Sequence, residues 1–159
     1  MQHYWPGGVP YFPGETGTDL LKLLVAYLLA LPVGWYRERE AHTIGLRTFP
    51  LVAVASCGYV LLGTPAGQHS LDAQSRIIQG LVAGIGFLGG GAILRARQGV
   101  QGTATAASIW NTGAVGAAVA QGRYALAATL AGLNLFALRV LLPLKEKLDA
   151  RGGRPRDPG

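Results

Sequence analysis

The run Gly84-Ile85-Gly86-Phe87-Leu88-Gly89 matches G-x-G-x-x-G, the loop pattern that cradles a dinucleotide pyrophosphate. That chemistry needs an acidic residue about 20 positions further on to hold the ribose. No Asp or Glu occurs between Asp72 and Glu146, and no strand-like alternation leads into the run. Dinucleotide binding is excluded. The same glycines suit a different task. Gly80 and Gly84, and Gly86 and Gly90, stand four apart, and Gly89 and Gly91 add more bare backbone. Small residues at this spacing let two helices approach closely in lipid, where packing rather than water drives association. The sharper alternative is that the run loosens its helix and exposes carbonyl oxygens as ligands. Downstream, Gly113 with Ala117 and Gly116 with Ala120 make a matching small face.

The remaining reactive side chains point away from catalysis. His3, His42 and His69 share no ligand spacing, and Cys57 is the single cysteine, so neither a metal set nor a disulfide can be assembled. No Ser/His/Asp or Cys/His grouping offers an activated nucleophile. The apolar stretches enclose a short polar inventory: Gln79, Ser108, Trp110, Asn111, Thr112 and Asn134. Trp110 and Asn111 both carry groups that need hydrogen-bond partners, and a Trp in mid-span is unlike the usual interfacial belt. They are expected to bond to neighbouring helices and to mark the functional centre. Arg37-Glu38-Arg39-Glu40 reads as a solvated face, while Arg47 precedes Thr48, a capping residue type placed just before an apolar run.

These residues must be positioned by membrane helices. The chain has 159 residues, is 50% hydrophobic and 14% charged, and has a mean hydropathy of +0.30. Soluble domains carry about 25% charged residues. The stretches Thr48–Leu71, Ile77–Leu94 and Gln98–Gly122 contain no Asp, Glu, Lys or Arg, and a bilayer core is crossed by roughly 20 apolar residues. The fold class expected is an all-α polytopic membrane bundle of about five transmembrane helices. The spans expected are about Leu20–Tyr36, a second from near Thr48–Pro50 to near Leu62–Gly63, Ile77–Leu94, roughly Thr103–Gln121, and Tyr124–Leu142. Met1–Asp19 reads as a polar lead-in with no basic n-region of a signal peptide, and Lys145–Gly159 as a charged, disordered tail.

Charge placement sets the expected orientation and argues against nucleic acid. The net charge of +6 is not gathered on one module but falls in short groups at the ends of apolar segments. Ten Lys and Arg residues lie on one side of the expected bundle, and only Arg76 and Arg123 on the other. The basic side is cytoplasmic, which puts the N-terminus outside and the C-terminus inside. No Asp or Glu falls inside a span, which disfavours an ion path built on its own carboxylates.

The pattern resembles the MgtC/SapB family of bacterial inner-membrane proteins. The likeness rests on Gly34 with Arg37-Glu38, on Gly45-Leu46-Arg47-Thr48, on Arg76, and on Gly84-Ile85-Gly86-Phe87-Leu88-Gly89-Gly90-Gly91. It continues with Gly102 followed by Thr105-Ala106-Ala107 and Trp110, in family order from about Leu20 to Leu142. The resemblance implies a five-span protein of the bacterial plasma membrane, multi-pass and non-enzymatic, with no cofactor and with a role in adaptation to low magnesium. Some members carry a soluble cytoplasmic C-terminal domain, which this chain is expected to lack. The chain departs from the family pattern at Tyr36, where Glu is usual, at Ala104, where a polar side chain is usual, and at Gly80, with Gln79 shifted by one.

Three classes of function follow. The first is a regulatory protein that touches other membrane proteins through its glycine-rich faces and supports growth when magnesium is scarce. The second is a transporter or channel for an ion such as Mg²⁺ or a small solute, using carbonyls near Gly84–Gly91 and the Asn111 amide. The third is a homo-oligomeric scaffold without a ligand. Its partners are then the lipid bilayer, other membrane proteins or further copies of itself, and not nucleic acid.

Overall fold

A computed structural model describes residues 13–41, 45–63, 71–96 and 99–141. Within them lie five helices: α1 (Pro13–Ala41), α2 (Thr48–Gly63), α3 (Leu71–Gly91), α4 (Thr103–Ala120) and α5 (Tyr124–Phe136). The last continues through a π-helical turn, Ala137–Leu141. The bounds of α2 and α4 fall within two residues of those expected from sequence. Three departures have physical causes. First, α1 begins at Pro13, so the second half of the polar lead-in is helical. Pro fits a first helical turn, where its missing N–H costs no bond. Its other end runs on through Arg37 to Ala41 because charged residues at the edge of an apolar window need not end a helix. Second, α3 starts at Leu71, six residues before the apolar stretch, with Asp72 favourably placed in its first turn. Third, Leu94 leaves the helix and pairs in a two-stranded antiparallel hairpin of β1 (Leu94–Ala96) and β2 (Gly99–Gln101). The expected tail and the first twelve residues, with His3, His42 and His69, lie outside the described residues.

The packing is that of a protein whose outside is apolar and whose inside is small. α4 is central and touches each of the other four helices. Its buried positions are mostly Ala, Gly, Ser, Thr and Val, including Thr105, Ser108, Thr112, Gly113 and Gly116. Large apolar side chains instead point outward: Leu24 and Leu28 on α1, Leu62 on α2, Phe87 on α3, and Leu133 and Phe136 on α5. In water such a surface would aggregate; in lipid it is the ordinary exterior, and small residues at the centre let helices close in. By length and composition, Gly17–Glu40 of α1 and Tyr124–Leu141 are sufficient to cross a membrane. α2, with 16 residues, is about 24 Å long, short of the roughly 30 Å hydrocarbon core. It is covered by neighbours along Phe49, Ala53, Cys57 and Val60, so its ends need not reach both surfaces.

Of the glycines the spacing singled out, Gly113 and Gly116 on α4 and Gly89 on α3 are the ones that bring helices together. A Cβ on Gly116 would meet the backbone of Ala53 and the Ser56 Cβ on α2, and one on Gly113 would meet Ile85 of α3. On α3, Gly89 lies 3.4 Å from the Ala106 carbonyl, measured at the position of a Cβ. Nothing lies within 4 Å of such a position at Gly80, Gly84, Gly86, Gly90 or Gly91. The expected close contact at those five is therefore corrected: within the chain they face outward. The loosening alternative is corrected as well, because α3 remains helical through Gly91.

Candidate functional site

One buried charge organises the end of the bundle where α1 stops. Ala26, Ala30 and Val33 form the inward stripe of α1, and Arg37 is the next residue at that helical spacing. It is only 7% exposed, and its Nη2 donates to the Thr105 hydroxyl in the first turn of α4. Its Nε is buried and has no acceptor. The sequence expectation of a solvated Arg37 is thus corrected. Alternating signs in Arg37-Glu38-Arg39-Glu40 conceal that successive residues point 100° apart, so one of the four can face inward. The signal that finds it is the spacing from Val33 and Ala30.

Glu38, on the exposed side, clasps the chain that follows. Its Oε2 accepts from the Leu46 N–H at 3.0 Å. The same loop presses on α1: a Cβ on Gly34 would lie 3.1 Å from the Gly45 oxygen, and one on Gly45 would lie 2.6 Å from the Glu38 nitrogen. These two glycines permit the backbones to touch, and the Gly45 carbonyl then accepts from the Thr48 and Phe49 N–H groups that open α2. That carbonyl fills the capping role expected of Thr48. From α5, the Arg139 guanidinium lies 5.7 Å from the centre of the Tyr36 ring, and on α1 the Arg39 guanidinium lies 5.0 Å from that of Trp35. The end of α1, the starts of α2 and α4, and the end of α5 therefore meet at one place.

A second polar set joins α4 to α5 in mid-bundle. Ser108 Oγ donates to Asn134 Oδ1 at 2.8 Å, and Asn134 Nδ2 donates to the Ser108 carbonyl at 3.3 Å. Asn111 Nδ2 donates to the Leu130 carbonyl at 3.0 Å. Such bonds hold helices in register where lipid offers no alternative. Ser108 and Asn134 were visible as polar residues in spans, yet nothing in sequence pairs them. Trp110 departs from expectation: it is 52% exposed on the outer face of the bundle. A residue adjacent to Asn111 points about 100° away, so the two cannot share one inward site. Arg47 and Arg76 are exposed, apart from the Arg37–Thr105 contact.

No group of three or more His, Cys, Asp or Glu side chains that could hold a metal occurs among the described residues. Apolar walls, an Ala/Gly/Ser/Thr centre and a buried guanidinium together define a small helical membrane protein. The chain belongs to the MgtC family, whose model matches residues 23–147. It is 39% identical over 117 residues to "Protein SrpB" of Synechococcus elongatus, covering 66% of this chain and 64% of that one. It is 38% identical to "Protein MgtC" of Salmonella typhimurium, covering 70% and 48%, and 32% identical to "Putative magnesium transporter YhiD" of Escherichia coli, covering 84% and 65%. The chain thus spans about half to just under two-thirds of the length of these relatives. No solved structure matches it.

Proposed function

We propose that this chain is a multi-pass protein of the bacterial inner membrane that supports magnesium homeostasis by contacting other membrane proteins, without catalysing a reaction. The magnesium link is supported by the relatives' names and by family membership. The observation that carries the contact reading against ion passage is Arg37: the charge buried at the helix junction is a cation. A guanidinium in a low-dielectric interior repels a passing dication far more strongly than it would in water. The five outward glycines of α3 add a face on which a neighbouring helix can seat its backbone closely.

Growth under magnesium limitation tests this reading. Asn111→Leu removes one interhelical bond, typically worth about 0.6 kcal/mol, and Trp110→Phe alters only the outer surface. Both variants should insert at wild-type levels, and both should reduce growth support in low magnesium. Parallel loss of protein and growth would make them structural, and unchanged growth would remove them from the functional surface. Orientation is checked separately. Because ten basic residues lie on one side against two, a reporter fused after Asp149 that works only when exported should be silent. An active reporter there would reverse the proposed topology.

A further inference from the structure

The start of α4 is an unusually bare helix terminus. Gly102 provides no side-chain cap, and the first turn contains no acidic residue. The Ala106 N–H reaches the Gly102 carbonyl, but the N–H groups of Thr103, Ala104 and Thr105 precede any intrahelical acceptor. They form the positive end of an 18-residue helix. Into this turn α1 delivers Arg37, more than nine-tenths buried, with one N–H on Thr105 and the Nε–H unused. Two positive groups thus converge, with donors to spare. Of the carboxylates at this end, Glu38 accepts from the Leu46 N–H, and Glu40, exposed beside Tyr36, attracts Arg37 electrostatically but leaves its Nε–H without an acceptor.

We infer that the α4 N-terminus and Arg37 form a binding site for a phosphate-type oxyanion. A tetrahedral oxyanion presents enough oxygens to accept from Arg37 Nε and from the first-turn N–H groups together, and charge-assisted bonds of this kind are the strong ones. The chemistry is shared by a free phosphate and a phospholipid headgroup. A groove of about 470 Å³ begins at Ala104 in the same turn and continues past Ala107 to Leu133 and Leu141, giving apolar room for the chain of a lipid.

The test uses the full chain in a phosphate-free maltoside detergent, with thermal unfolding as the readout. One arm adds inorganic phosphate against chloride at equal ionic strength; the other adds phosphatidylglycerol against diacylglycerol with the same acyl chains. Stabilisation by inorganic phosphate identifies a free-oxyanion site, and stabilisation by phosphatidylglycerol alone identifies a headgroup site; either supports the inference. Thr103→Asp, at an exposed position, places a carboxylate in the turn. It should raise the ligand-free melting temperature and abolish the response. Arg37→Lys keeps the charge but loses the Nε donor and should weaken binding about tenfold. If Arg37→Lys does not fold, Thr103→Asp decides alone. No response from the wild type, equal stabilisation by diacylglycerol, or a full response in Thr103→Asp would overturn the site.

Discussion

Valine at Gly116 should nearly eliminate the folded protein from membranes, while valine at Gly84 should leave its level close to wild type. Both glycines sit in small-residue patterns of the same spacing, so sequence alone assigns them the same cost. Their surroundings differ. At Gly116 the new side chain would enter the backbone of Ala53 and press on Ser56 Cβ, and neither can yield unless α2 separates from α4. Overpacking against movable side chains costs about 1–3 kcal/mol, and a backbone contact should lie at or above the top of that range. At Gly84 nothing lies within 4 Å, so no contact inside the chain is lost. Membrane abundance and melting temperature in detergent measure both. Equal damage at the two positions would mean that α3 also packs closely through Gly84.

Thr105→Val should destabilise the protein far more than Arg37→Met, although the first change is smaller. Removing the hydroxyl takes away the hydrogen bond that Arg37 makes to Thr105, beside an Nε–H that already lacks an acceptor. Leaving a buried donor unsatisfied in this way typically costs about 1–3 kcal/mol, and more when the donor is charged. Arg37→Met removes the charge itself and fills the space with an apolar side chain of similar length, an exchange that is often neutral or stabilising. The double variant Arg37→Met/Thr105→Val should therefore recover most of the stability lost in Thr105→Val. Thermal unfolding of the four proteins closes the cycle. Additive losses would show that the two side chains do not depend on each other.

These two cases show where sequence reading succeeds and where it stops. The start of α2 and the end of α4 are legible because a charge stands beside each, Arg47 just before Thr48 and Arg123 just after Gln121. The hairpin between Leu94 and Gln101 is not, since three-residue strands are too short for alternation to register. Spacing identifies a small-residue face on α3 and another on α4, but which face turns inward depends on where α2 lies. That is a tertiary fact, and it separates the roles of Gly84 and Gly116. Arg37 and Thr105 were both legible as candidates, 68 positions apart, with nothing in their spacing to join them. The junction exists because Gly34 and Gly45 let the α1–α2 connection fold back on α1. Trp110 illustrates the converse, since its unusual position suggested an interior role and its helical phase places it outside.

The central claim is that the chain serves magnesium homeostasis by contact and not by conducting the ion. The most direct measurement is Mg²⁺ entry into liposomes that contain the purified chain and an internal magnesium-sensitive dye, driven by an inward gradient. The account predicts entry indistinguishable from protein-free liposomes, for the wild type and for Arg37→Met alike. Saturable entry that rises with the amount of wild-type protein would contradict it.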